Sequence, residues 1–316
     1  MSYGYQPYVG RKNARKHYIH LFFNALLIVI LLSLIIWGIT FCIRHVKNDK
    51  QEKLAIKESY SVLYANKNYL ELIEKMDAEL RNNPLQPEFL VYRGFSYYLL
   101  GEAEHDSSKR SVYFSLALTD LRKVPIVYSA NDLLGNVYFC IGKIYYYYGK
   151  GYYNQSIEYL NRAIKCGNER IDLLYVLGLV YSYIGEYEKA NQILLRSQDL
   201  EKNDLVLLSI GINYYRMGKM DDAIKYLQET AEVSTERKNK EKALFTLGTI
   251  CFEQSKYEKA LYYYDKTIEL NENNAEAYFQ RGEIYYLYYR DNIKARAQWR
   301  KTIEIDPGHL KAGKRL

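Results

Sequence analysis

The stretch LYVLGLVYSYIGEYEKANQIL, Leu174–Leu194, decides the fold of this chain. Large apolar residues recur in it at intervals of three and four, which predicts two amphipathic helices. Gly185 lies between the two halves and ends the first helix. Gly178 and Ala190 are small residues, one in each predicted helix, placed where two helices cross closely. The stretch therefore predicts a tightly packed helical hairpin.

The hairpin pattern recurs along the 316-residue chain. Glycines in matching contexts stand at Gly94, Gly142, Gly178, Gly211, Gly248 and Gly282, with spacings of 48, 36, 33, 37 and 34 residues. A period of this size predicts a solenoid of paired helices, about seven hairpins here, each stable only against its neighbours. Such a fold presents a binding surface and supplies no reaction centre by itself.

The units share more than their glycines. In three units the shared positions hold Leu207, Ile210, Gly211, Tyr214, Gly218, Ala223 and Leu227; then Leu244, Leu247, Gly248, Cys251, Tyr257, Ala260 and Tyr264; then Tyr278, Gly282, Tyr285, Ala295, Trp299 and Pro307. This pattern resembles the tetratricopeptide repeat, whose motif places Leu, Gly and Tyr before Ala, an aromatic residue and Pro. The resemblance covers roughly residues 53–308. It implies an all-α solenoid that binds protein or peptide partners.

Several segments depart from the repeat. Residues 54–86 form a degenerate first unit. In the second unit we expect a longer link over Glu102–Lys109 and an extra stretch after Pro125. Residues 234–240 predict a lengthened turn. Residues 309–316 are basic and too short for a full capping helix, and an open end of this kind needs a polar face or a partner.

A long apolar run precedes the repeats. Residues 21–42 contain only one strongly polar side chain, Asn24. A helix of this length spans roughly 33 Å, enough to cross the hydrocarbon layer of a membrane. A cleaved signal peptide has a shorter apolar core and a small-x-small cleavage site, which this run lacks. We therefore predict a membrane-spanning helix over residues 20–44, with a basic disordered tail at 1–19 and a linker at 45–52.

The charges beside this run bear on its orientation. Four Lys or Arg residues precede it without any Asp or Glu, whereas the following flank mixes Lys with acidic residues. A short, purely basic N-terminal tail is typical of a cytoplasm-facing end. We expect a single-pass protein of the cytoplasmic (inner) membrane with its repeats outside, in the periplasm if the cell is bacterial. The reverse orientation stays open, because the basic residues on the two flanks are nearly balanced.

The composition disfavours several classes of function. The net charge is +7, but five basic residues lie in residues 1–44, which leaves 39 basic and 37 acidic side chains in the rest. So balanced a surface lacks the clustered Lys and Arg that bind nucleic acid. The four cysteines form no CxxC pair, the five histidines are isolated, and no phosphate-binding or nucleophile motif occurs. We therefore expect no enzymatic activity, catalytic residue, cofactor or metal.

The resemblance also implies which side chains bind a partner. In tetratricopeptide repeats the first helices of successive hairpins line a concave face, and fixed positions around each glycine point into it. Here aromatic residues, which offer large contact area and few rotatable bonds, occupy many of these positions. The predicted protein-binding residues are Phe95, Tyr98, Phe139, Tyr146, Tyr147, Tyr175, Tyr183, Tyr215, Phe245, Phe252, Phe279 and Tyr286. Because tyrosine supplies 36 of the 316 residues, some of these side chains are expected to pack between repeats instead.

The same positions disfavour one kind of ligand. Chaperone-binding tetratricopeptide repeats hold a C-terminal carboxylate with Lys, Asn and Arg. Three residues before the repeat glycines this chain has no basic residue, and one residue after them it has no Asn. A carboxylate clamp of that kind is therefore not expected.

Together these features predict a membrane-anchored scaffold or adaptor that organises other proteins, in a homo- or hetero-oligomeric assembly. One anchor followed by an array of repeats resembles, in layout alone, the collar scaffold proteins around periplasmic flagellar motors. If the orientation is reversed, the alternative is a cytoplasm-facing docking module for membrane-protein assembly or quality control. An enzyme accessory would need a polar pocket that the sequence does not show.

Overall fold

A computed structural model describes residues 37–41, 43, 44, 47, 58–200 and 203–316. All regular structure in these residues is helical. The chain divides into two compact units, Met1–Leu72 and Ile73–Leu316. In the first unit, residues 37–41 and 58–65 are helical. The second unit contains the repeats.

Fifteen helices are numbered here in the described part of the chain that begins at Tyr69. Their bounds are α1 Tyr69–Asn82, α2 Pro87–Ala103, α3 Ser107–Leu121, α4 Val124–Val127, α5 Asn131–Tyr148, α6 Tyr153–Lys165, α7 Ile171–Tyr183, α8 Tyr187–Leu200, α9 Asp204–Arg216, α10 Met220–Val233, α11 Arg237–Glu253, α12 Tyr257–Leu270, α13 Ala275–Leu287, α14 Asn292–Ile305 and α15 Leu310–Gly313. A 3-10 turn, Lys150–Tyr152, precedes α6.

Six helix pairs form the hairpins of the second unit: α2 with α3, α5 with α6, α7 with α8, α9 with α10, α11 with α12, and α13 with α14. Each first helix carries one repeat glycine. The helical solenoid predicted from the glycine spacing is confirmed for these pairs. The predicted first repeat, residues 54–86, begins outside the described residues.

In each hairpin the two helices meet where the glycine of the first helix contacts one large side chain of the second. A Cβ atom added to Gly178 would lie 2.5 Å from Leu194 Cγ, far inside the 3.5–4.0 Å at which carbon atoms attract. The other such pairs are Gly94 with Leu121, Gly142 with Leu160, Gly211 with Leu227, Gly248 with Tyr264, and Gly282 with Trp299. The large partners are buried. Because glycine has no side chain, it leaves a space that the large residue of the second helix fills.

The core lies between successive helices and has no single centre. Leu174, Leu177 and Val180 of α7 are fully buried in a cluster that reaches back to Leu80. Smaller clusters continue it through α9 to α15. Burial of a leucine stabilises the fold by about 1.5–3 kcal/mol. Because each cluster joins neighbouring hairpins, each hairpin is stabilised by the ones beside it.

Two predicted insertions take a different form in the structure. The link predicted over Glu102–Lys109 is wrong, because α2 continues to Ala103 and α3 begins at Ser107. Asp106 caps α3, since its side chain accepts a hydrogen bond from the Lys109 backbone N–H at 2.8 Å. The turn predicted to lengthen over residues 234–240 is mostly helix, because α11 begins at Arg237.

The C-terminal residues 309–316, predicted to be too short for a full capping helix, pack against the last hairpin. Ala312 of α15 is buried with Phe279 and Trp299. His309 Nδ1 accepts a hydrogen bond from the Ala312 backbone N–H at 3.2 Å and so caps the turn. Arg315 donates to both carboxylate oxygens of Glu283 at 2.9 and 2.6 Å. A single turn therefore covers much of the last hairpin's end.

A partly buried network of ion pairs joins α1, α2 and α3. Arg93 Nε and Nη2 each donate to a carboxylate oxygen of Asp120 at 2.7 Å, and Nη1 donates to Asp77 at 2.5 Å. Asp120 is only 1% exposed. Bidentate pairs of this kind fix geometry as well as supplying energy. These bonds raise the pKa of the Arg93 guanidinium above its ordinary value.

The predicted membrane helix lies mostly outside the described residues. Its residues 37–41 are helical, and Trp37 stacks on Phe41 with ring centroids 5.7 Å apart. None of the helices that the structure describes combines the length and the apolar composition needed to cross a membrane.

Substitution of Gly178 by alanine is expected to destabilise the protein by about 1–3 kcal/mol, because the added methyl group overlaps the fully buried Leu194. Gly151→Ala is the matched control, since a Cβ atom there meets no atom within 4 Å. Urea unfolding followed by circular dichroism should show a lower midpoint for Gly178→Ala only. Equal midpoints for the two variants would show that the glycine contact does not limit packing.

Candidate protein-binding concavity

The first helices of successive hairpins face a shared concavity. Its volume is about 660 Å³, and α7, α9 and α11 supply most of its walls. The lining residues are Tyr146, Tyr175, Leu179, Tyr183, Leu205, Leu208, Ser209, Ile212, Lys238, Asn239, Glu241, Lys242, Phe245, Asn271 and Asn274. This placement agrees with the concave face that the resemblance implies. The concavity has an aromatic and aliphatic wall and a polar wall.

The aromatic wall is built from stacked rings. Tyr183 stacks on Tyr146 with centroids 6.3 Å apart and on Tyr153 with centroids 5.6 Å apart. Stacked aromatic pairs stabilise by about 0.5–1.5 kcal/mol beyond their buried area. Burial raises the pKa of the Tyr146 and Tyr175 hydroxyls above the ordinary tyrosine value, so both are neutral at physiological pH. The wall therefore offers large, uncharged, preorganised rings.

The polar wall begins with the extended N-terminal turn of α11. The Ser234 hydroxyl donates to the Asp204 carboxylate, and Asn239 Nδ2 donates to Asp204 Oδ2 at 3.3 Å. These hydrogen bonds, led by that from Ser234, lower the pKa of Asp204. Asp204 belongs to the first turn of α9. The added N-terminal turn of α11 is thus tied to α9, the first helix of the preceding hairpin.

A second set of hydrogen bonds ties the N-terminal part of α11 to the start of the following hairpin, α13 with α14. Glu241 Oε1 accepts hydrogen bonds from Asn271 Nδ2 at 2.8 Å and from Asn274 Nδ2 at 2.7 Å. Asn274 also caps α13, because its side chain accepts from the Ala277 backbone N–H. The polar wall is therefore held from both sides.

Four of the twelve predicted binding residues meet at this concavity: Tyr146, Tyr175, Tyr183 and Phe245. Their role in binding stays a prediction. The shared feature of these four is that part of each ring faces solvent from a first helix. Tyr183 is the most open of them, with 58% of its surface exposed.

Three predicted residues lie in the core and offer almost no surface to a partner. Tyr98 stacks on Phe114. Phe139 is buried in the main cluster. Phe279 is covered by the C-terminal turn, with the His309 ring 5.0 Å away. All three stand at repeat positions whose side chains are partly exposed in other hairpins. Here a neighbouring element fills the space in front of each ring.

The other five predicted residues lie away from the concavity. Phe95 packs on the core. Tyr147 and Tyr215 donate to Glu102 at 3.2 Å and to Glu253 at 2.6 Å. Phe252 lines a separate hollow of about 470 Å³. Tyr286 lies 5.1 Å from the Arg315 guanidinium, as a cation–π contact.

Several lining residues were missed by the sequence reasoning. Leu179 and Ile212 stand one residue after their repeat glycines, as Phe95 does, but only aromatic side chains were predicted to bind at that position. Lys238 and Lys242 lie in or beside the segment assigned to a turn. The helix-favouring composition of residues 237–243 was the available signal for them.

The chemistry of the described residues is that of a binding surface. No group of three His, Cys, Asp or Glu side chains among them is placed to hold a metal ion. Burial raises the pKa of the Cys140 and Cys251 thiols, so both stay protonated at neutral pH and are poor nucleophiles. The concavity combines neutral rings, amides, two lysines and the carboxylate of Glu241.

The fold and the concavity define a helical-repeat protein with an open concave surface. Sequence models of the tetratricopeptide repeat match residues 171–204 and 204–273. Residues 171–273 therefore match the tetratricopeptide repeat, as their residue pattern predicts, and the neighbouring segments also form helical hairpins.

Two curated proteins match part of the chain. The TPR repeat-containing protein MJ1428 of Methanocaldococcus jannaschii is 29% identical over 130 residues, which are 40% of this chain and 22% of that protein. The BBSome complex member BBS4 of Bos taurus is 26% identical over 113 residues, 36% of this chain and 21% of that protein. The match thus spans about a fifth of the length of these relatives.

Solved structures share the fold. The C-terminal part of a TPR repeat-containing protein from Cytophaga hutchinsonii superposes with a TM-score of 0.62 at 21% identity, over 82% of this chain and 98% of that one. The APC/C hetero-tetramer Cut9–Hcn1 gives a TM-score of 0.51 at 18% identity, over 81% of this chain and 47% of that one. At these identities the likeness concerns the fold alone.

The stability of the protein is expected to fall as the pH rises above about 10. Burial raises the pKa of Tyr147 to about 12 and also raises those of Tyr146 and Tyr175. In the unfolded chain tyrosines ionise near pH 10, so the unfolded state loses its protons first and is favoured as the pH rises. Urea midpoints measured between about pH 8 and pH 12 should decline alongside tyrosinate absorbance. A constant midpoint would mean that these hydroxyls are as accessible as in the unfolded chain.

Proposed function

We propose that this protein is an interaction scaffold that captures a peptide segment of its partner in the concavity. The observation that carries the proposal is the convergence of Tyr146, Tyr175, Tyr183 and Phe245, from three different first helices, on one 660 Å³ space. Aromatic residues in partly desolvated pockets dominate binding energy at protein interfaces. The rings are held by packing in regular helices, so little conformational entropy is lost when a partner binds.

The dimensions favour a peptide over a small molecule. Neighbouring helices pack about 8–10 Å apart, so the face from α7 through α9 to α11 extends about 20 Å. A fully extended chain of about six residues covers that distance. The concavity also combines apolar rings on one wall with amides such as Asn239, Asn271 and Asn274 on the other. The rings suit the side chains of a peptide, and the amides suit its backbone.

We further propose that residues 21–42 anchor the protein in the cytoplasmic membrane, with the repeats outside it in an envelope-associated assembly. The apolar composition of that run and the purely basic tail before it support this arrangement. A collar around a periplasmic flagellar motor is one assembly with this layout. A partner peptide captured next to the membrane would fix other components at the same place.

A cytoplasm-facing docking module is the second candidate. Arg44, Lys47, Lys50 and Lys53 follow the apolar run, and positive charges of this kind favour retention in the cytoplasm. The concavity would then bind segments of proteins that are being assembled at the inner face of the membrane. The peptide-binding proposal is the same for both orientations.

Replacement of Tyr146 and Tyr183 by alanine is expected to weaken peptide binding at least about tenfold while leaving helical content normal. Random dodecapeptides displayed on phage would be selected on the full chain, and the affinity of a synthetic copy of the most enriched peptide would be measured by fluorescence anisotropy.

Tyr262→Ala is the matched control, because Tyr262 is 57% exposed, against 58% for Tyr183, and does not line the concavity. It should leave the affinity unchanged. If no peptide is enriched, or if the double variant binds as tightly as the parent, the concavity is not the binding site.

Topology is tested by one introduced cysteine. Asn273→Cys, in a chain whose native cysteines are replaced, should react with a membrane-impermeant thiol reagent once any outer envelope is opened, before the cytoplasmic membrane is breached. Ser2→Cys is the control and should react only after the breach. The reverse order of labelling would establish the cytoplasm-facing candidate.

A further inference from the structure

The two walls of the concavity differ in charge. Its aromatic wall is neutral, whereas the opposite wall carries Lys238 and Lys242 of α11. These lysines are four residues apart, so they lie on the same face of the helix. Neither forms an ion pair with a carboxylate in the part of the chain that the structure describes.

The nearby carboxylates are already engaged. Glu241 is the acidic residue of the lining, and its Oε1 accepts hydrogen bonds from Asn271 and Asn274. Asp204 is engaged by Ser234 and Asn239. Among the lining residues the two lysines outnumber the single carboxylate, that of Glu241, so the lining carries a net positive charge.

Some cations elsewhere in the solenoid are paired with carboxylates. Lys143 pairs with Glu102 at 2.6 Å, Arg281 with Asp265 at 3.1 Å, and Arg315 with Glu283 at 2.6 Å. Lys238 and Lys242 differ from these cations because they face an open concavity. Their ammonium groups are available for carboxylates supplied from outside the chain.

We infer that the partner segment is an acidic peptide, with an apolar or aromatic side chain against Tyr175 and Tyr183 and carboxylates beside Lys238 and Lys242. This inference rests on the proposed function and names the chemistry of its ligand. Lysine attracts carboxylates as a point charge without fixing their orientation, so a cluster of Asp and Glu residues is recognised more than one fixed sequence. The hydrogen bonds to Asp204 hold the turn in place, which preorganises the charged wall.

The test uses the full chain and a phage library of random dodecapeptides. Enriched peptides should be rich in Asp and Glu and contain at least one large apolar residue. A synthetic copy of the most enriched peptide should bind about 5–10-fold more weakly to Lys238→Gln/Lys242→Gln, and added salt should weaken its binding to the parent. Selection on Lys238→Glu/Lys242→Glu should lose the acidic preference.

Lys225→Gln/Lys259→Gln is the matched control, since it removes the same charge from residues that do not line the concavity. It should change the affinity less than about twofold, in the range of exposed charge effects. Enriched peptides without an acidic bias, whose binding is lost on Tyr146→Ala/Tyr183→Ala, would overturn the acidic partner and leave the proposed function standing. Absence of any enriched peptide would overturn both.

Discussion

The close approach of a glycine in each first helix to one large side chain in the second is the contact on which the structure depends. Leu194 fills the space over Gly178, and Tyr264 and Trp299 fill the same space over Gly248 and Gly282. Because the partner is large and buried, it sets the distance and rotation of the two helices together. Each hairpin then presents one face to the next, and the first helices reach a shared concave side.

Polar interactions fix the positions of segments that apolar packing does not determine. Asp204 fixes the added turn of α11 to the preceding hairpin, while Glu241 fixes it to the following one. Buried or half-buried hydrogen bonds of this kind are costly to leave unmade, so they hold one arrangement. The consequence is a rigid wall on which Lys238 and Lys242 stand opposite the tyrosines. At the C-terminal end, the hydrogen bonds between Arg315 and Glu283 hold the last turn in the same way.

The hairpins could be predicted from sequence because their determinants are local. Gly178, Leu194 and the residues between them lie within one stretch, and the same spacing recurs between Gly211 and Leu227 and between Gly248 and Tyr264. The site was predicted only in part. Tyr175 and Phe279 each stand three residues before a repeat glycine, but the His309 ring covers Phe279, and no pattern within the repeat of Phe279 predicts that contact. The lysines of the concavity were missed because their segment was taken for a turn.

The sequence by itself determined the repeat, the pairing of helices and the kind of surface they form, because these follow from small and large residues a fixed distance apart. Only the tertiary structure decided which aromatic residues face solvent and which cations face the concavity. Exposure is set by elements thirty or more residues away, such as the α12–α13 link beside Glu241 and the C-terminal turn over Phe279. Those contacts depend on how hairpins stack, which local periodicity does not encode.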